Sequence, residues 1–271
     1  MRHFKKTALV LGSIKGIGKA IALALAQDGI QVVTTYWDWP EFLPELQKDL
    51  AAIDTPSLIV NVDLMNIHEI KQLIVEIQSK FCGLDILINN IERGGWPLVH
   101  GEYQQDQWDM EVATTMRAKR WVFHEALPLL KASGDGTVIN ISSIAGIVGR
   151  SGPAAPFFSD AYAAVNRGIS SLTETWAREA APEVRVNELM IGFFETRHGP
   201  QTRGWQNLSA SEKQALIDHT PLGRQGKMSD IVSAVMFLVN HASYMTGSVM
   251  RLDGGYVLGG EKVPPMPDGI L

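Results

Sequence analysis

The chain has 271 residues, with 24 Lys or Arg against 29 Asp or Glu, and a formal net charge of -5. This balance gives no electrostatic basis for binding nucleic acid or an anionic membrane, so a small-molecule partner is favoured. Because Cys82 is the single cysteine and no stretch approaches the ~20 apolar residues of a membrane span, we expect a soluble, cytoplasmic protein.

Short runs rich in β-branched residues alternate along the chain with longer segments of helical period. This alternation is typical of βαβ units. We predict a single α/β domain over residues 1–271, with a doubly wound, Rossmann-type sheet of seven parallel strands and helices on both faces. The predicted strands are Thr7–Leu11, Gln31–Thr35, Ser57–Val60, Leu84–Asn89, Thr137–Ile141, Arg185–Leu189 and Ser248–Leu252. The predicted helices are Gly16–Asp28, Glu41–Ile53, Ile67–Phe81, Gln105–Lys131, Ala161–Ala181 and Ser229–Asn240.

Two irregular stretches interrupt the alternation, Arg150–Asp160 and Arg197–Thr220. Both follow predicted strands, on the side where doubly wound sheets bind ligands. We interpret the first as an inserted loop and the second as a substrate loop. Ordinary surface loops are the alternative interpretation.

A glycine-rich turn follows the first predicted strand and leads into an Ala/Leu-rich helix. Glycine permits a tight turn and a close approach to a pyrophosphate, and the helix N-terminus supplies free N–H donors. We therefore predict a dinucleotide cradle, although such turns also occur without a ligand. The predicted contacts are Gly12, Ser13, Lys15, Gly16, Ile17 and Gly18.

The Gly-x-x-x-Gly-x-Gly spacing of this turn resembles the short-chain dehydrogenase/reductase family. Further motifs in the family's order extend the resemblance along nearly the whole chain. The resemblance implies an NAD(P)-dependent oxidoreductase and cofactor contacts at Asp63, Asn89, Gly192 and Thr196. The matching motifs are Asp63, Asn89-Asn90, Asn140-Ile141-Ser142-Ser143, Tyr162, Val186-Asn187, Gly192, Thr196, Pro221-Leu222-Gly223-Arg224, and the run from Tyr244 to Gly255.

The end of the second strand usually separates NAD from NADP in this family. Tyr36 stands where NAD-preferring relatives place an acid, and Trp37 where many NADP-preferring relatives place arginine. Lys15 stands where NADP-preferring relatives carry a basic residue, and a cation there can meet a 2′-phosphate. We favour NADP(H). Binding of NAD(H) stays open if Asp38 turns towards the ribose.

The resemblance assigns two residues of the family's catalytic tetrad. Ser143 matches the serine that polarises the substrate oxygen, and Tyr162 matches the tyrosine that exchanges the proton. The alternatives are that Ser143 caps a turn and that Tyr162 is a packed aromatic at the start of a helix.

The other two tetrad positions depart from the family pattern. Asn166 stands in place of the lysine that holds the nicotinamide ribose and lowers the tyrosine pKa, and Thr115 stands in place of the asparagine. Asn166 can donate to ribose hydroxyls but contributes no positive charge. Alcohol oxidation needs a tyrosinate base and should suffer most, so we predict a reductase. By the same argument, Asn166→Lys is expected to raise oxidation more than reduction.

Nearby arginines are weak substitutes for the lysine. Arg167 points about 100° away around the helix, whereas Arg150 or Arg93 would have to reach the site from a loop.

Further departures lie close to the expected reaction centre. Glu92 replaces the glycine of the family's Asn-Asn-Ala-Gly turn, and its carboxylate either approaches the cofactor or points outward. The segment from Ser143 to Tyr162 is also longer than usual. With Trp205, aromatic residues at 157–158 and 193–194 would suit an apolar or aromatic ligand.

The leading hypothesis is an NADP(H)-dependent carbonyl or imine reductase. The alternatives are a nucleotide-binding protein without redox turnover and a non-redox lyase or isomerase. We expect no metal site. By family resemblance we expect a homo-oligomer, either a dimer or a tetramer, and Ala161–Ala181 is a candidate contact surface.

Overall fold

The computed structural model describes residues 6–92, 105–195, 209–261, 263–267 and 269. Its strands are β1 (Thr7–Val10), β2 (Gln31–Tyr36), β3 (Ser57–Asn61), β4 (Ile86–Asn89), β5 (Gly136–Ser143), β6 (Val184–Ile191) and β7 (Val249–Leu252). They form one seven-stranded sheet in the order β3-β2-β1-β4-β5-β6-β7. Every neighbouring pair is parallel. The predicted doubly wound sheet is confirmed.

Helices connect the strands, and none in the described part of the chain is long and apolar enough to span a bilayer. Every predicted boundary lies within two residues of an observed one, although the long predicted helix Gln105–Lys131 is divided. The helices are α1 (Gly16–Gln27), α2 (Leu43–Ala51), α3 (Ile67–Phe81), α4 (Gln105–Glu111), α5 (Lys119–Ser133), α6 (Ala145–Val148), α7 (Asp160–Ala180), α8 (Ala210–His219) and α9 (Met228–Asn240).

Apolar helix faces cover both sides of the sheet. Alternate residues of β1 point to opposite sides, so Val10 packs in the core with α1 and α9, and Leu9 packs in the core with α3, α5 and α7. On the second side Phe123 and Trp176 stack with ring centroids 4.5 Å apart. Burial on both faces explains why the strands are continuous apolar runs.

The prediction that Arg197–Thr220 is irregular is wrong for its C-terminal part, where α8 spans Ala210–His219. Ser209 Oγ accepts from Glu212 N while the Glu212 carboxylate accepts from Ser209 N, which is a capping box. This Ser-x-x-Glu signature is visible in the sequence and could have located the helix. Residues 196–208 lie outside the described part of the chain.

The long helix before β5 changes its hydrogen bonding in the middle. Residues Val112–Ala118 form a π-helical segment between α4 and α5. Such segments are rare and are frequent at functional sites. This one contains Thr115 and ends immediately before Lys119, so it sets the direction of both side chains.

Candidate active site

The candidate site lies where the chain changes direction along the sheet. From β1 the chain runs to β2 and β3 on one side, and β4 then pairs with the other side of β1. In doubly wound sheets, ligands bind beyond the carboxyl ends of the strands at this switch point. The glycine-rich turn follows β1, Glu92 follows β4 and Ser143 ends β5, so all three meet at this edge.

Close backbone contacts fix the glycine-rich turn. A Cβ at Gly12 would lie 2.5 Å from Asn90 O, and a Cβ at Gly18 would lie 2.3 Å from Gly12 O. Asn90 Nδ2 donates to Gly12 O at 3.2 Å. Side chains at either glycine would therefore force the turn away from the end of β4.

Gly16 is different, because a Cβ there would meet no atom within 4 Å, although its φ of +58° favours glycine. The open space lies at the N-terminus of α1, where Lys15 makes no side-chain capping bond. A left-handed glycine beside free helix N–H groups fits the pyrophosphate of a dinucleotide. Ser13 holds this turn from inside, since its fully buried hydroxyl donates to Val10 O at 2.7 Å. Ile17 packs on the adjacent core.

An aromatic pair after β2 holds the Lys15 ammonium. Lys15 Nζ lies 3.3 Å from the ring centroid of Trp39 and 4.8 Å from that of Phe42. Burial lowers the Lys15 pKa, while the nearby Glu41 and Asp38 carboxylates act in the opposite direction. A cation therefore lies beside the end of β2. The predicted cofactor residues Tyr36 and Trp37 are there too, and Trp37 is half-exposed.

The other predicted cofactor residues lie at the same edge, but some of their polar groups have internal partners. Asp63 Oδ1 accepts from Met65 N at 2.9 Å. Asn89 is fully buried and its Nδ2 donates to Asn140 Oδ1 at 2.8 Å, so its side chain faces the interior. A Cβ at Gly192 would lie 2.8 Å from Asp253 Cα. Thr196 lies outside the described residues.

Ser143 and Tyr162 come together, as the sequence predicts. The Ser159 side chain caps α7 by accepting from Tyr162 N at 3.0 Å, which fixes Tyr162 in the first turn. Burial of the hydroxyl, followed by the nearby Glu92 carboxylate, raises the Tyr162 pKa well above its ordinary value, and the neighbouring Ser143 hydroxyl opposes this. The Tyr162 hydroxyl therefore keeps its proton at neutral pH.

Asn166 is fully buried, and it joins Ser143 to α7. Its Oδ1 accepts from Ser143 N at 2.9 Å and its Nδ2 donates to Tyr162 O at 2.9 Å. Both polar atoms of the amide therefore bond within the protein. These bonds give Asn166 a role in holding the backbone of Ser143, which the sequence-based expectation of a ribose contact did not include.

Thr115 bonds to a buried acid rather than to a lysine. Its hydroxyl donates to Glu111 Oε1 at 2.7 Å, one turn earlier. Burial raises the Glu111 pKa to about 7, and the Glu92 carboxylate adds to this, while the Thr115 hydrogen bond and the Lys119 ammonium oppose it. Glu111 therefore holds or releases a proton near neutral pH.

Lys119 is a charged residue of the site that the sequence analysis missed. It is 1% exposed, and its Nζ donates to Ile141 O at 2.6 Å, two residues before Ser143. Burial lowers its pKa to about 8, opposed by the carboxylates of Glu92, Glu188 and Glu111. A signal was available, because Lys119 begins the stripe of buried positions that continues with Val122, Phe123, Ala126 and Leu130.

Glu188 is a second missed residue, since it interrupts the buried apolar positions Val184, Val186 and Met190 on one face of β6. It is fully buried in β6, and Ser142 Oγ donates to its Oε1. Burial raises the Glu188 pKa, while hydroxyl groups and the positive charges of Lys119 and Arg167 lower it. Carboxylates and one ammonium thus replace apolar packing behind Ser143.

Glu92 lies at the entrance to this group. Tyr162 Oη donates to Glu92 Oε2 at 3.0 Å. Of the two alternatives for Glu92, this hydrogen bond supports the one in which the carboxylate approaches Tyr162, although the residue is also exposed.

Aromatic rings pack beside Tyr162 along the lengthened segment. Phe158 lies 5.7 Å from Tyr162 and 5.7 Å from Phe193, and Phe193 contacts Tyr256 at 5.1 Å between ring centroids. Phe157 also contacts Phe193, at 5.4 Å. The grouping of Phe194 with these rings is wrong, because it packs against Gly226 in a different core. Trp205 lies outside the described residues.

The arginines considered as substitutes for the missing lysine lie elsewhere. Arg150 pairs with Asp160 at 3.8 Å between partly exposed side chains. Arg167 is exposed on α7, although its charge reaches Glu188. Arg93 is outside the described residues. Lys119 is therefore the buried cation of the described site.

A family model confirms the sequence resemblance over most of the chain. The model described as enoyl-(acyl carrier protein) reductase matches residues 12–257. The match runs from the first glycine of the turn to beyond β7. It therefore covers both the cradle and the group around Tyr162.

Individual relatives match over nearly their whole length. A 3-oxoacyl-(acyl carrier protein) reductase of Staphylococcus aureus is 31% identical over 92% of this chain and 97% of its own. The corresponding reductase of Thermotoga maritima is 29% identical over 95% of this chain and 100% of its own.

Solved structures agree with the fold. An NADPH-dependent 3-quinuclidinone reductase from Rhodotorula rubra superposes with a TM-score of 0.82 at 25% identity, over 94% of this chain and 92% of its own. A short-chain dehydrogenase/reductase from Brucella melitensis, described as a glucose/ribitol dehydrogenase, gives 0.80 at 25% identity over 93% and 97%.

Proposed function

The chain belongs to the short-chain dehydrogenase/reductase family of oxidoreductases, and on that premise we propose that it is an NADP(H)-dependent reductase of a carbonyl or imine group. The observation that carries the proposal is the placement of Ser143 and a protonated Tyr162 at the carboxyl edge that also holds the glycine cradle. Bound nicotinamide would supply the hydride. The chain's own residues supply the proton and hold the acceptor.

Each residue has a distinct part in the proposed reaction. Ser143 orients the acceptor oxygen or nitrogen, and Asn166 holds the Ser143 backbone in place. Tyr162 gives its proton to that atom as negative charge develops there. Its raised pKa favours the reductive direction, because oxidation would require a tyrosinate beside the Glu92 carboxylate.

The cofactor preference rests on Lys15. Its ammonium lies beside the end of β2, where a 2′-phosphate would bring two negative charges. Gly16 and the N-terminus of α1 would hold the pyrophosphate. Asp38 and Glu41 partly oppose the preference because their charges also act on Lys15.

The aromatic rings beside Tyr162 support an apolar or aromatic substrate. Phe158 and Phe193 lie on the Tyr162 side of the site, so a substrate that reaches the Tyr162 hydroxyl would meet their surfaces. We include in the proposal a small-molecule substrate and assembly into a dimer or tetramer, which sedimentation velocity would measure.

Cofactor turnover tests the proposal. A panel of ketones, aldehydes and cyclic imines is offered with NADPH, and the loss of NADPH absorbance is followed. Turnover with at least one panel member is expected. Tight NADPH binding with no turnover on the panel would overturn the reductase assignment in favour of a non-redox nucleotide-binding protein. Conversion of a substrate without NADPH consumption would favour lyase or isomerase chemistry.

A further inference from the structure

Glu92 connects the proton donor of the site to solvent. Tyr162 is only 8% exposed, whereas Glu92 is exposed and its Oε2 accepts from the Tyr162 hydroxyl at 3.0 Å. This hydrogen bond connects the buried Tyr162 hydroxyl to a side chain at the protein surface. A proton exchanged at Tyr162 therefore has a direct path through the Glu92 carboxyl.

Lys119 supplies the buried positive charge behind this path. A fully buried ammonium is stable only near negative charge. Glu92 has the strongest electrostatic influence on Lys119 among the carboxylates, followed by Glu188 and Glu111. Lys119 Nζ also donates to Ile141 O at 2.6 Å, which anchors the charge to β5 next to Ser143. Of the Lys and Arg residues that the structure describes, Lys119 alone is buried.

We propose that Glu92 relays protons between Tyr162 and solvent, and that Lys119 is a positioning residue that stabilises the Glu92 carboxylate. This inference rests on the proposed reductase function. It assigns to a different helix the positive charge that position 166 does not carry.

The proton steps balance in the reductive direction. The substrate carbon receives a hydride from a reduced nicotinamide cofactor. As the Tyr162 O–H bond breaks, an O–H bond forms on the substrate oxygen, or an N–H bond on an imine nitrogen. Solvent protonates the Glu92 carboxylate. The new Glu92 O–H bond then breaks as its proton passes to the tyrosinate oxygen, which restores both the Tyr162 hydroxyl and the Glu92 carboxylate.

Chemical rescue tests the relay directly. Glu92→Ala should lower kcat for NADPH-dependent reduction by about 10²-fold, within the range of general acid–base contributions. Added formate should raise the kcat of the Glu92→Ala enzyme by about tenfold, because a small carboxylic acid can replace the missing group. Glu76→Ala, which removes an exposed acid of α3, should show neither effect. A Glu92→Ala enzyme that keeps wild-type kcat, or that is never rescued, would overturn the relay.

Titration of Lys119 tests its coupling to Glu92 without any turnover. In the protein with ¹³Cε-labelled lysine, NMR follows the Lys119 signal, assigned by its absence in Lys119→Met. Because the Glu92 carboxylate favours the ammonium, Glu92→Gln should shift the Lys119 midpoint to lower pH. Glu111→Gln and Glu188→Gln remove the other carboxylates whose charges act on Lys119, and each should also lower the Lys119 midpoint. An unchanged midpoint in Glu92→Gln would overturn the coupling.

The positioning role predicts a conservative rescue. Lys119→Met should lower kcat with little change in the KM for NADPH, and Lys119→Arg should recover part of kcat. Thermal unfolding checks that both variants are folded, and Lys71→Met provides an exposed control on α3. Equal kcat values for Lys119→Met and wild type would overturn the role. If wild type turns over no panel substrate, the reductase proposal fails, but the NMR titration still decides the coupling.

Discussion

The two ends of the candidate site, the glycine cradle and the catalytic end around Ser143 and Tyr162, are held in place by different groups. At the cradle, the backbone determines the geometry, because Gly12 and Gly18 leave no room for a Cβ and Gly16 opens space at the start of α1. At the catalytic end, side chains determine it. Asn166 holds Ser143, and charged groups approach from α5, β6 and the turn after β4.

The cradle follows the family's sequence pattern, whereas the catalytic end departs from it in part. The cradle keeps the family's glycine spacing, so the binding of a dinucleotide follows from a backbone that only glycine permits. The catalytic end keeps Ser143 and Tyr162 but places the cation at Lys119 rather than at position 166. Changes at the cradle should therefore alter cofactor affinity, and changes at the other end should alter protonation and rate.

The largest expected effect concerns the charge at the catalytic end. Burial raises the Glu111 pKa from 4.5 to about 7. Between these values the folded protein keeps a proton that the unfolded chain releases, so the free energy of unfolding falls as pH rises through this window. Above about pH 7 the loss stays constant. At ~1.4 kcal/mol per unit, the loss approaches ~3 kcal/mol.

Glu111→Gln should remove this loss. Urea unfolding from pH 4 to pH 8 should show the free energy of unfolding of the variant rising relative to wild type by about 3 kcal/mol. The exposed substitution Glu76→Gln is the control. Parallel pH profiles for wild type and Glu111→Gln would mean that Glu111 is ionised throughout.

Gly16→Ala tests the cradle end. A Cβ there meets no protein atom, so the fold should lose only ~1–2 kcal/mol for the left-handed backbone. If the open space holds a pyrophosphate, the Kd for NADPH should rise by at least about tenfold. Gly134→Ala matches it, with a φ of +76° and no atom within 4 Å, but lies at the end of α5. Equal NADPH affinities in both variants would place the cofactor elsewhere.

Asn166→Lys measures how far the catalytic end has diverged. The sequence alone leads to the expectation that this change raises oxidation, whereas the hydrogen bonds of Asn166 lead to a different one. Lysine cannot accept from Ser143 N, and a buried donor left unpaired costs ~1–3 kcal/mol. Reduction should fall by about tenfold, as it should in Asn166→Ala. Faster alcohol oxidation by Asn166→Lys would show that the position still serves the family's role.

The smallest effect is expected at Lys15. Because its ammonium lies near the surface, Lys15→Ala should raise the KM for NADPH by about fivefold, equivalent to ~1 kcal/mol, and leave the KM for NADH unchanged. Steady-state kinetics with both cofactors measures the ratio, and Lys71→Ala is the control. Equal effects on both cofactors would remove the argument for NADP(H).

The sequence predicts the fold and half of the site for a physical reason. Strands, helices and the glycine turn depend on local periodicity and on backbone conformation, and both are visible in short segments. Glu111, Lys119 and Glu188 instead come from separate elements, and their meeting depends on three-dimensional packing. Lys119 and Glu188 do interrupt apolar patterns, which marks them as buried charges but does not indicate their partners. The two members of the Tyr162–Glu92 pair are each visible in the sequence. Tyr162 matches the family's tyrosine, and Glu92 departs from the family's Asn-Asn-Ala-Gly turn.

In the proposed NADPH-dependent reduction, a protonated Tyr162 donates to the substrate. The most direct test is kcat for Tyr162→Phe with the best substrate of the panel, and the exposed Tyr244→Phe serves as control. We expect a loss of at least about 10²-fold in kcat with unchanged affinity for NADPH. Wild-type kcat in Tyr162→Phe would contradict it.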